Sequence, residues 1–137
     1  MIRGNKKNVS PGQFSGMGID IVDIPRFRKI ISTRSKRFID HIFLPSEKKY
    51  CGAKPNPWIH YAGRFAAKEA IAKAFGTGIG KELGWLDIEI LSADSKAPVV
   101  KLSQRAKRLA RRRRTKNILV SISHTHAHTA AVALLVS

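Results

Sequence analysis

The sequence predicts an α+β fold with a small antiparallel sheet and a long central helix. One strand is followed by helices and then mainly by strands, an order typical of this class. The length of 137 residues suits one domain, and 43% apolar residues can fill one core. We therefore expect a flexible arm over residues 1–16 and a single domain over residues 17–137.

The first predicted element is a strand. Residues 1–16 are polar and contain glycine and proline, which favours an arm outside the fold. Residues 17–24, MGIDIVDI, alternate with the period of a strand. One face carries Met17, Ile19 and Ile21. Asp20 lies on the other face and so projects from an apolar strand.

Helices follow the strand. Pro25 suits the first turn of a helix whose predicted inward residues are Phe27, Ile30 and Ile31. A second helix passes through Phe38, Ile42 and Phe43, and a third starts at Ser46. The central helix is the alanine-rich segment from Trp58 to Phe75, which Gly76 should end.

The C-terminal half is mainly extended. A glycine-rich connection leads to strand-like runs at residues 86–91, 98–102, 118–124 and 130–136. A short helix lies within the basic segment 101–116, with Ser103 as its N-cap. Its apolar stripe is Leu102, Ala106, Leu109 and Ala110.

The charge is strongly positive and unevenly placed. There are 26 Lys and Arg against 9 Asp and Glu, so the net charge is 26 − 9 = +17. Asp94 is the last acid, and ten Lys and Arg follow it. The basic helix is either a solvated face or a surface for nucleic acid or an acidic protein. It contains no aromatic residue, so we expect no sequence-specific nucleic-acid binding.

Cysteine content and hydropathy indicate the compartment. Cys51 is the only cysteine, so it forms neither an intrachain disulfide nor a zinc site by itself. The sequence contains no apolar run of roughly 18 residues, the minimum for a membrane span, and no signal peptide pattern. We expect a cytoplasmic protein without membrane contact.

Two carboxylates are candidates for a metal site. Glu69 and Lys73 share one face of the central helix, and the simplest interpretation is an i,i+4 salt bridge between them. Asp20 favours another interpretation, because two enclosed acids are costly to bury unless a cation lies between them. Oxygen ligands point to Mg²⁺ or Mn²⁺.

The surroundings of these acids suit phosphate. Arg64, Lys68 and Lys73 are cationic, and glycines at 76, 78 and 80 let backbone amides approach an anion. GTGIGKE is not a P-loop, because its spacing is one residue short, Glu82 replaces Ser or Thr, and it follows a helix. His124, His126 and His128 alternate and offer a competing zinc site, although their place between two strands favours turn or surface histidines.

Three motifs carry a family resemblance: GIDIVDIPRF at 18–27, GRFAAKEAIAKAFGTGIG at 63–80 and SISHT at 121–125. With them the chain resembles the holo-acyl-carrier-protein synthases, the small bacterial type of 4′-phosphopantetheinyl transferase. The resemblance implies transfer of phosphopantetheine from coenzyme A to a serine of apo acyl carrier protein, in fatty acid biosynthesis. It also implies a homotrimer with active sites at the subunit interfaces.

The resemblance assigns roles to individual residues. It places the Mg²⁺ ligands at Asp20 and Glu69 and a phosphate-binding lysine at Lys73, and these three form the expected catalytic group. The residues expected to bind the coenzyme A nucleotide are Arg64, Lys73, Gly76, Pro98, His124 and Thr125. The resemblance places Arg26 at the carrier-protein docking surface, and the distribution of charge adds Arg34 and Arg37 to that surface. Glu69, or a water that it activates, is the preferred base for the serine proton.

Some positions depart from the pattern. Ala97 stands where the family often has glycine, which puts the close approach to the nucleotide there in doubt. The run 111–114 is unusually rich in arginine and has no assigned role. Two other classes compete with the transferase: a basic nucleic-acid-binding module and a non-catalytic domain that binds acyl carrier protein.

Overall fold

The computed structural model describes residues 13–34, 36–92 and 97–137 and has the predicted α+β fold. The strands are β1 (Phe14–Asp23), β2 (Ile88–Ser92), β3 (Pro98–Leu102), β4 (Asn117–His124) and β5 (His128–Val136). The helices are α1 (Ile24–Thr33), α2 (Lys36–Ile42), α3 (Pro45–Gly52), α4 (Pro57–Phe75) and α5 (Gln104–Arg112). Within these residues no helix is both long and apolar enough to cross a membrane.

Strand β5 is the centre of the main sheet. It pairs antiparallel with β1 on one side and with β4 on the other, while β2 and β3 form a separate antiparallel pair. The register places Asp20 opposite Ala131 and His124 opposite Thr129. Because β1 begins at Phe14, residues 14–16 belong to the sheet and not to the predicted arm. Residues 1–12 of that arm lie outside the described residues.

Helix α4 packs closely on the sheet because glycine and alanine meet at the contact. A Cβ atom on Gly18 would lie 1.9 Å from the carbonyl oxygen of Ala70, so no side chain fits at this position of β1. Ala66, Ala67 and Ala70 of α4 are fully buried. Gly76 ends α4 in the left-handed conformation (φ 77°), as predicted.

The alternation along β1 is as predicted, but the apolar side chains face outward. Gly18 and Val22 are buried against α4. On the opposite face Met17, Ile19 and Ile21 are 71%, 61% and 69% exposed. The prediction that Ile30 points inward is also wrong, because this side chain is 40% exposed on α1. The main sheet therefore presents an apolar face that nothing in the described part of the chain covers.

Two predicted boundaries shift in the C-terminal half. A 3₁₀ turn, Trp85–Asp87, replaces the predicted start of β2 at Leu86. β5 begins at His128 and not at Ala130, because its ladder with β1 extends to Asp23.

The basic helix forms as predicted, except at its first apolar position. The Ser103 hydroxyl caps α5 by accepting a hydrogen bond from the Ala106 N–H at 3.1 Å. Ala106, Leu109 and Ala110 are the buried residues of α5. Leu102 belongs to β3 and was wrongly placed in the helical stripe.

Candidate functional site

Asp20 and Glu69 line the same cleft, which has a volume of about 530 Å³. Asp20 comes from the middle of β1, and Glu69 comes from the face of α4 that lies against that strand. The polar residues that share the cleft with them are Asp23, Arg26 and His128. Its apolar wall includes Phe27, Phe38 and Phe65. The two carboxylates singled out in the sequence are therefore brought to one place.

Lys73 is bound to Asp20. Its Nζ donates hydrogen bonds to Oδ1 of Asp20 and to the carbonyl oxygen of Ile19, both at 3.0 Å. The Asp20 side chain is 16% exposed and that of Lys73 is 50% exposed. The ion pair of Lys73 is thus with a strand residue, which contradicts the simple i,i+4 pair with Glu69.

Glu69 has a polar partner that the sequence analysis missed. The indole Nε1 of Trp85 donates a hydrogen bond to Oε1 of Glu69 at 3.2 Å. Burial raises the pKa of Glu69, the Trp85 hydrogen bond lowers it and the charge of Asp20 raises it, so the net direction is upward. A bound cation would favour the ionised form of both acids. Nothing in the sequence marked Trp85, which follows the glycine-rich connection.

The donor set limits which cation fits. The described residues contain no group of three or more His, Cys, Asp and Glu side chains that could hold a metal ion. His128 lies near Asp23, with 3.9 Å between Nε2 and Oδ2, and His124 contacts the carbonyl oxygen of Thr125 at 3.4 Å. Asp20 and Glu69 are two oxygen donors, which suits Mg²⁺ or Mn²⁺ when other ligands come from outside the chain.

Lys68 is not available to bind phosphate, contrary to the sequence-based expectation. Its side chain is fully buried and its Nζ lies 2.6 Å from Oε1 of Glu47, which is also fully buried. The same Nζ donates to the carbonyl oxygens of Ile42 and Trp85 at 2.6 and 3.0 Å. Lys68 therefore connects α2, α3 and the turn that carries Trp85.

Arg64 lies with the β2–β3 pair. It is 6% exposed, and its Nη2 donates to the Ser92 hydroxyl at 2.8 Å. Its guanidinium lies over the ring of Tyr50, with Cζ 4.1 Å from the centroid. Pro98 is the register partner of Ser92, so Arg64 and Pro98 occupy the same end of this pair. The Nε of Arg64 is buried and has no hydrogen-bond partner in the described part of the chain.

His60, on α4, interacts electrostatically with both Arg64 and His124. Its pKa is lowered first by burial and then by Arg64, Lys54 and His124. Thr125 forms the turn after β4, where its hydroxyl accepts hydrogen bonds from the N–H groups of Ala127 and His128 at 3.2 and 3.1 Å.

The predicted phosphate and nucleotide residues fall into two groups within one chain. Arg64 and Lys73 are nine residues apart on α4, which places them on opposite sides of the helix and about 14 Å apart along its axis. Gly76 lies at the Lys73 end. The chain therefore brings Asp20, Glu69, Lys73 and Gly76 to one side, and it brings Arg64, Pro98 and His124 to the other.

Of the predicted docking arginines, Arg26 lines the carboxylate cleft and Arg34 contacts Phe38, which also lines it. Arg26 lines the cleft from α1 and is exposed. Arg34 ends α1 with its guanidinium 5.0 Å from the ring centroid of Phe38, and Arg37 is exposed on α2. Ile30, also on α1, adds an exposed apolar side chain that lines the cleft. This edge combines positive charge with apolar surface.

Comparison with known families gives one match that spans most of the chain. The model of the 4′-phosphopantetheinyl transferase superfamily matches residues 16–133. Among curated relatives, the holo-acyl-carrier-protein synthase of Chlamydia felis is 45% identical over 123 residues, which cover 89% of this chain and 97% of the relative. The enzyme of the same name from Moorella thermoacetica is 46% identical over 120 residues, which cover 88% and 92%.

Solved structures show the same similarity. The Helicobacter pylori holo-acyl-carrier-protein synthase in complex with coenzyme A is 37% identical, with a TM-score of 0.77 and coverage of 88% of this chain and 99% of that chain. The synthase of the same name from Neisseria meningitidis is 26% identical, with a TM-score of 0.85 and coverage of 91% and 100%.

Proposed function

The chain belongs to the 4′-phosphopantetheinyl transferase superfamily, and from this membership we propose that it is a holo-acyl-carrier-protein synthase. It transfers the 4′-phosphopantetheine arm of coenzyme A to a serine hydroxyl of apo acyl carrier protein and releases adenosine 3′,5′-bisphosphate. Relatives of that name cover 89% of the chain, and the Helicobacter pylori structure contains coenzyme A.

The observation that carries the proposal is the pairing of Asp20 and Glu69 in one cleft beside Lys73. Transfer of a phosphoryl group depends mainly on positioning and on stabilising negative charge. Two acids that can hold a cation, next to an exposed ammonium group, provide the positive charge that this reaction needs. The side chain of Lys73 is half-exposed beside Asp20, and we assign it to the phosphates of coenzyme A.

Asp20 and Glu69 are the residues that would hold Mg²⁺, or Mn²⁺ in its place. They fit the ion because both are oxygen donors. Burial, and then the charge of Asp20, raise the pKa of Glu69, and a bound cation would favour its ionised form. When bound, the ion would polarise the pyrophosphate of coenzyme A and offset the charge that develops during transfer.

Glu69 is also our candidate for the proton acceptor. The Trp85 hydrogen bond fixes Oε1, whereas Oε2 makes no hydrogen bond with a described residue and can face the serine hydroxyl. The serine oxygen attacks the phosphorus of the 4′-phosphate, the bond to the adenosine bisphosphate leaving group breaks, and the serine proton passes to Oε2. Lys73 binds the phosphate oxygens during this exchange.

We assign the nucleotide part of coenzyme A to Arg64, Pro98, His124 and Thr125, and we place Gly76 beside the pyrophosphate. Arg64 and Lys73 lie on opposite sides of α4, so one chain does not bring all of these residues around one ligand. A second copy that supplies the Arg64 group to the Lys73 group would complete the site. The exposed apolar face of Met17, Ile19 and Ile21 supports self-association, and we propose the homotrimer implied by the family resemblance.

The partner that receives the phosphopantetheine is acidic in our proposal. Arg26 and Ile30 line the cleft, and the exposed Arg34 and Arg37 follow along the chain, so we assign these residues to the docking surface. Opposite charges steer association and set orientation. Docking of apo acyl carrier protein on this edge would direct its serine toward Glu69.

Mass spectrometry of the carrier tests the activity. Incubation with coenzyme A, Mg²⁺ and apo acyl carrier protein should add one phosphopantetheine to the carrier, and Asp20→Asn and Glu69→Ala should abolish most of this product. Asp40→Asn, an exposed acid on α2, is the matched control and should remain active. An unmodified carrier beside an active reference enzyme would contradict the proposal.

Mixing two inactive variants tests the shared site. Glu69→Ala and Arg64→Ala each remove one half of the proposed site. In a trimer that contains both variants, some interfaces combine the intact Glu69 of one subunit with the intact Arg64 of its neighbour. We expect activity to return when the two variants are unfolded and refolded together, but not when either is refolded alone. No recovery in verified mixed assemblies would mean that each chain has its own complete site.

A further inference from the structure

A second cleft lies between α5 and the β3 and β4 strands, away from the carboxylates. Its volume is about 360 Å³. Four cationic residues are among those that line it: Lys101, Lys107, Arg111 and Lys116. They come from two elements, β3 and α5, and from the connection between α5 and β4, so the fold brings them together.

These four cations have no ion-paired acid among the described residues, although Glu89 is the cross-strand register partner of Lys101. All four are exposed, and none forms an ion pair with a described residue. The acids nearest to α5 are already engaged, because Asp87 binds Arg105 and Glu82 lies 3.9 Å from Arg112. Four like charges around one cleft repel one another, and an anion in the cleft would relieve that repulsion.

The lining of the cleft indicates which anion fits. Arginine and lysine groups together favour phosphate oxygens, for which arginine provides paired donors and lysine a mobile charge. The apolar residues Val100, Leu102 and Ile118 add a surface for a carbon-containing part of the ligand. Thr115 also lines the cleft, and its hydroxyl is buried without a hydrogen-bond partner among the described residues.

This cleft is distant from the group of Arg64 and His124 in the proposed transferase site. Asn117, at the start of β4, lines the cleft, whereas His124 ends the same strand among the nucleotide residues. Seven residue steps along a strand separate the two by about 24 Å. Ile118 also alternates with the exposed Leu119, so Ile118 faces the cleft from the side of the sheet opposite the apolar face. The cleft and that apolar face can therefore be occupied separately.

We propose that the α5 cleft, formed by Lys101, Lys107, Arg111 and Lys116, binds an organic phosphate ester. The ester is either a soluble metabolite or the headgroup of an anionic phospholipid. Both present the same phosphate chemistry to the four cations. The proposal gives a role to Arg111 of the arginine run, while Arg113 and Arg114 lie outside the cleft.

Phenyl phosphate and inorganic phosphate are suitable probes. In an NMR titration of the metal-free protein at constant ionic strength, phenyl phosphate should cause saturable shifts of the backbone amides of residues 115–118. Because of the apolar lining, it should bind about tenfold more tightly than inorganic phosphate. Amides near Lys73 report separately on any binding at the transferase site.

Two double variants with the same change of charge make the test specific. Lys107→Gln with Arg111→Gln should weaken phenyl phosphate binding at residues 115–118 by about tenfold or more. Arg108→Gln with Arg113→Gln, on α5 and at its C-cap but outside the cleft, should weaken it less than about twofold. Thermal unfolding checks that both variants are folded, and transferase activity should be unchanged in both.

The outcomes separate the alternatives. Equal weakening by the two double variants would show that α5 attracts anions only through its total charge, and shifts that do not saturate would show no site; either result overturns the proposal. Vesicles of phosphatidylglycerol and phosphatidylcholine in equal parts identify the source. Displacement of phenyl phosphate by these vesicles indicates a lipid headgroup, and binding of phenyl phosphate without displacement indicates a soluble ester.

Discussion

The indole nitrogen of Trp85 donates a hydrogen bond to Oε1 of Glu69 at 3.2 Å, and the carbonyl oxygen of the same Trp85 accepts one from Lys68 at 3.0 Å. Trp85 therefore connects the proposed metal ligand to the buried pair of Lys68 and Glu47. The chain thus positions one of its two cleft carboxylates through Trp85, which does not itself line the cleft.

Trp85→Phe should impair the enzyme through Glu69. The hydrogen bond from Trp85 lowers the pKa of Glu69, so its loss should raise that pKa further above the ordinary value. A partner that orients a metal ligand typically contributes about 10- to 100-fold in metal affinity or activity. We expect weaker activation by Mg²⁺ in steady-state assays, and an NMR titration of the metal-free protein should show Glu69 protonating at higher pH.

The other tryptophan provides the control. Trp58, at the start of α4, packs near Tyr61 and Arg28 and makes no contact with Glu69. Trp58→Phe should leave both the Mg²⁺ dependence and the titration of Glu69 unchanged. If the two variants behaved alike, the hydrogen bond would have no positioning role.

Lys68→Met should destabilise the fold strongly. The substitution leaves the fully buried Glu47 carboxylate without its cation, and breaking a buried ion pair typically costs about 3–5 kcal/mol. Urea unfolding should show this loss in the free energy of unfolding. Lys49→Met, at an exposed position of α3, should change it by less than about 0.5 kcal/mol. A small loss in Lys68→Met would mean that Glu47 finds another partner.

Gly18→Ala should disturb both stability and the site. The added Cβ would meet the backbone of Ala70 at 1.9 Å, so β1 must move away from α4, and overpacking of this kind costs about 1–3 kcal/mol. Asp20 is two residues further along β1 and would move with it. We expect a lower melting temperature and a higher Mg²⁺ requirement. Gly80→Ala, where nothing lies within 4 Å of the added atom, should have neither effect.

Patterns in the sequence predicted the elements and one part of the site well. The structure confirms the predictions that depend only on neighbouring residues: the alternation in residues 17–24, the alanine-rich helix, and the caps at Ser103 and Gly76. Asp20 was recognisable because an acid within an apolar strand is costly without a partner. Its proximity to Glu69 then follows from the packing of β1 on α4.

Predictions that depended on contacts between distant segments were less successful. Lys68 was predicted to bind phosphate because its buried partner, Glu47, lies on another helix, and the sequence alone does not show that contact. The outward direction of Met17 could not be predicted from the alternation alone, since either face of a strand can meet the core. Trp85 was missed because an indole in a turn is usually a packing residue, and only the tertiary structure brings it to Glu69.

Asp87 should make stability depend on pH in the acidic range. Burial raises the pKa of Asp87, but hydrogen bonds from Arg105, Ser103 and the Gly84 N–H outweigh this and lower it below the ordinary value of 3.8. The ionised form thus stabilises the folded state at pH values above about 4. That contribution is lost as pH falls through the lower pKa of the folded protein.

Asp87→Asn measures this contribution directly. The amide keeps one acceptor oxygen but loses the charge and the second acceptor. The free energy of unfolding at pH 7 should therefore be roughly 1–3 kcal/mol lower than that of the parent. The difference between the two proteins should narrow as pH falls below 4, because the parent then loses the same charge. Glu82→Gln, at an exposed acid 3.9 Å from Arg112, should change little at any pH. A constant difference between Asp87→Asn and the parent down to pH 2 would show that hydrogen-bond geometry, and not the charge of Asp87, holds the 3₁₀ turn against α5.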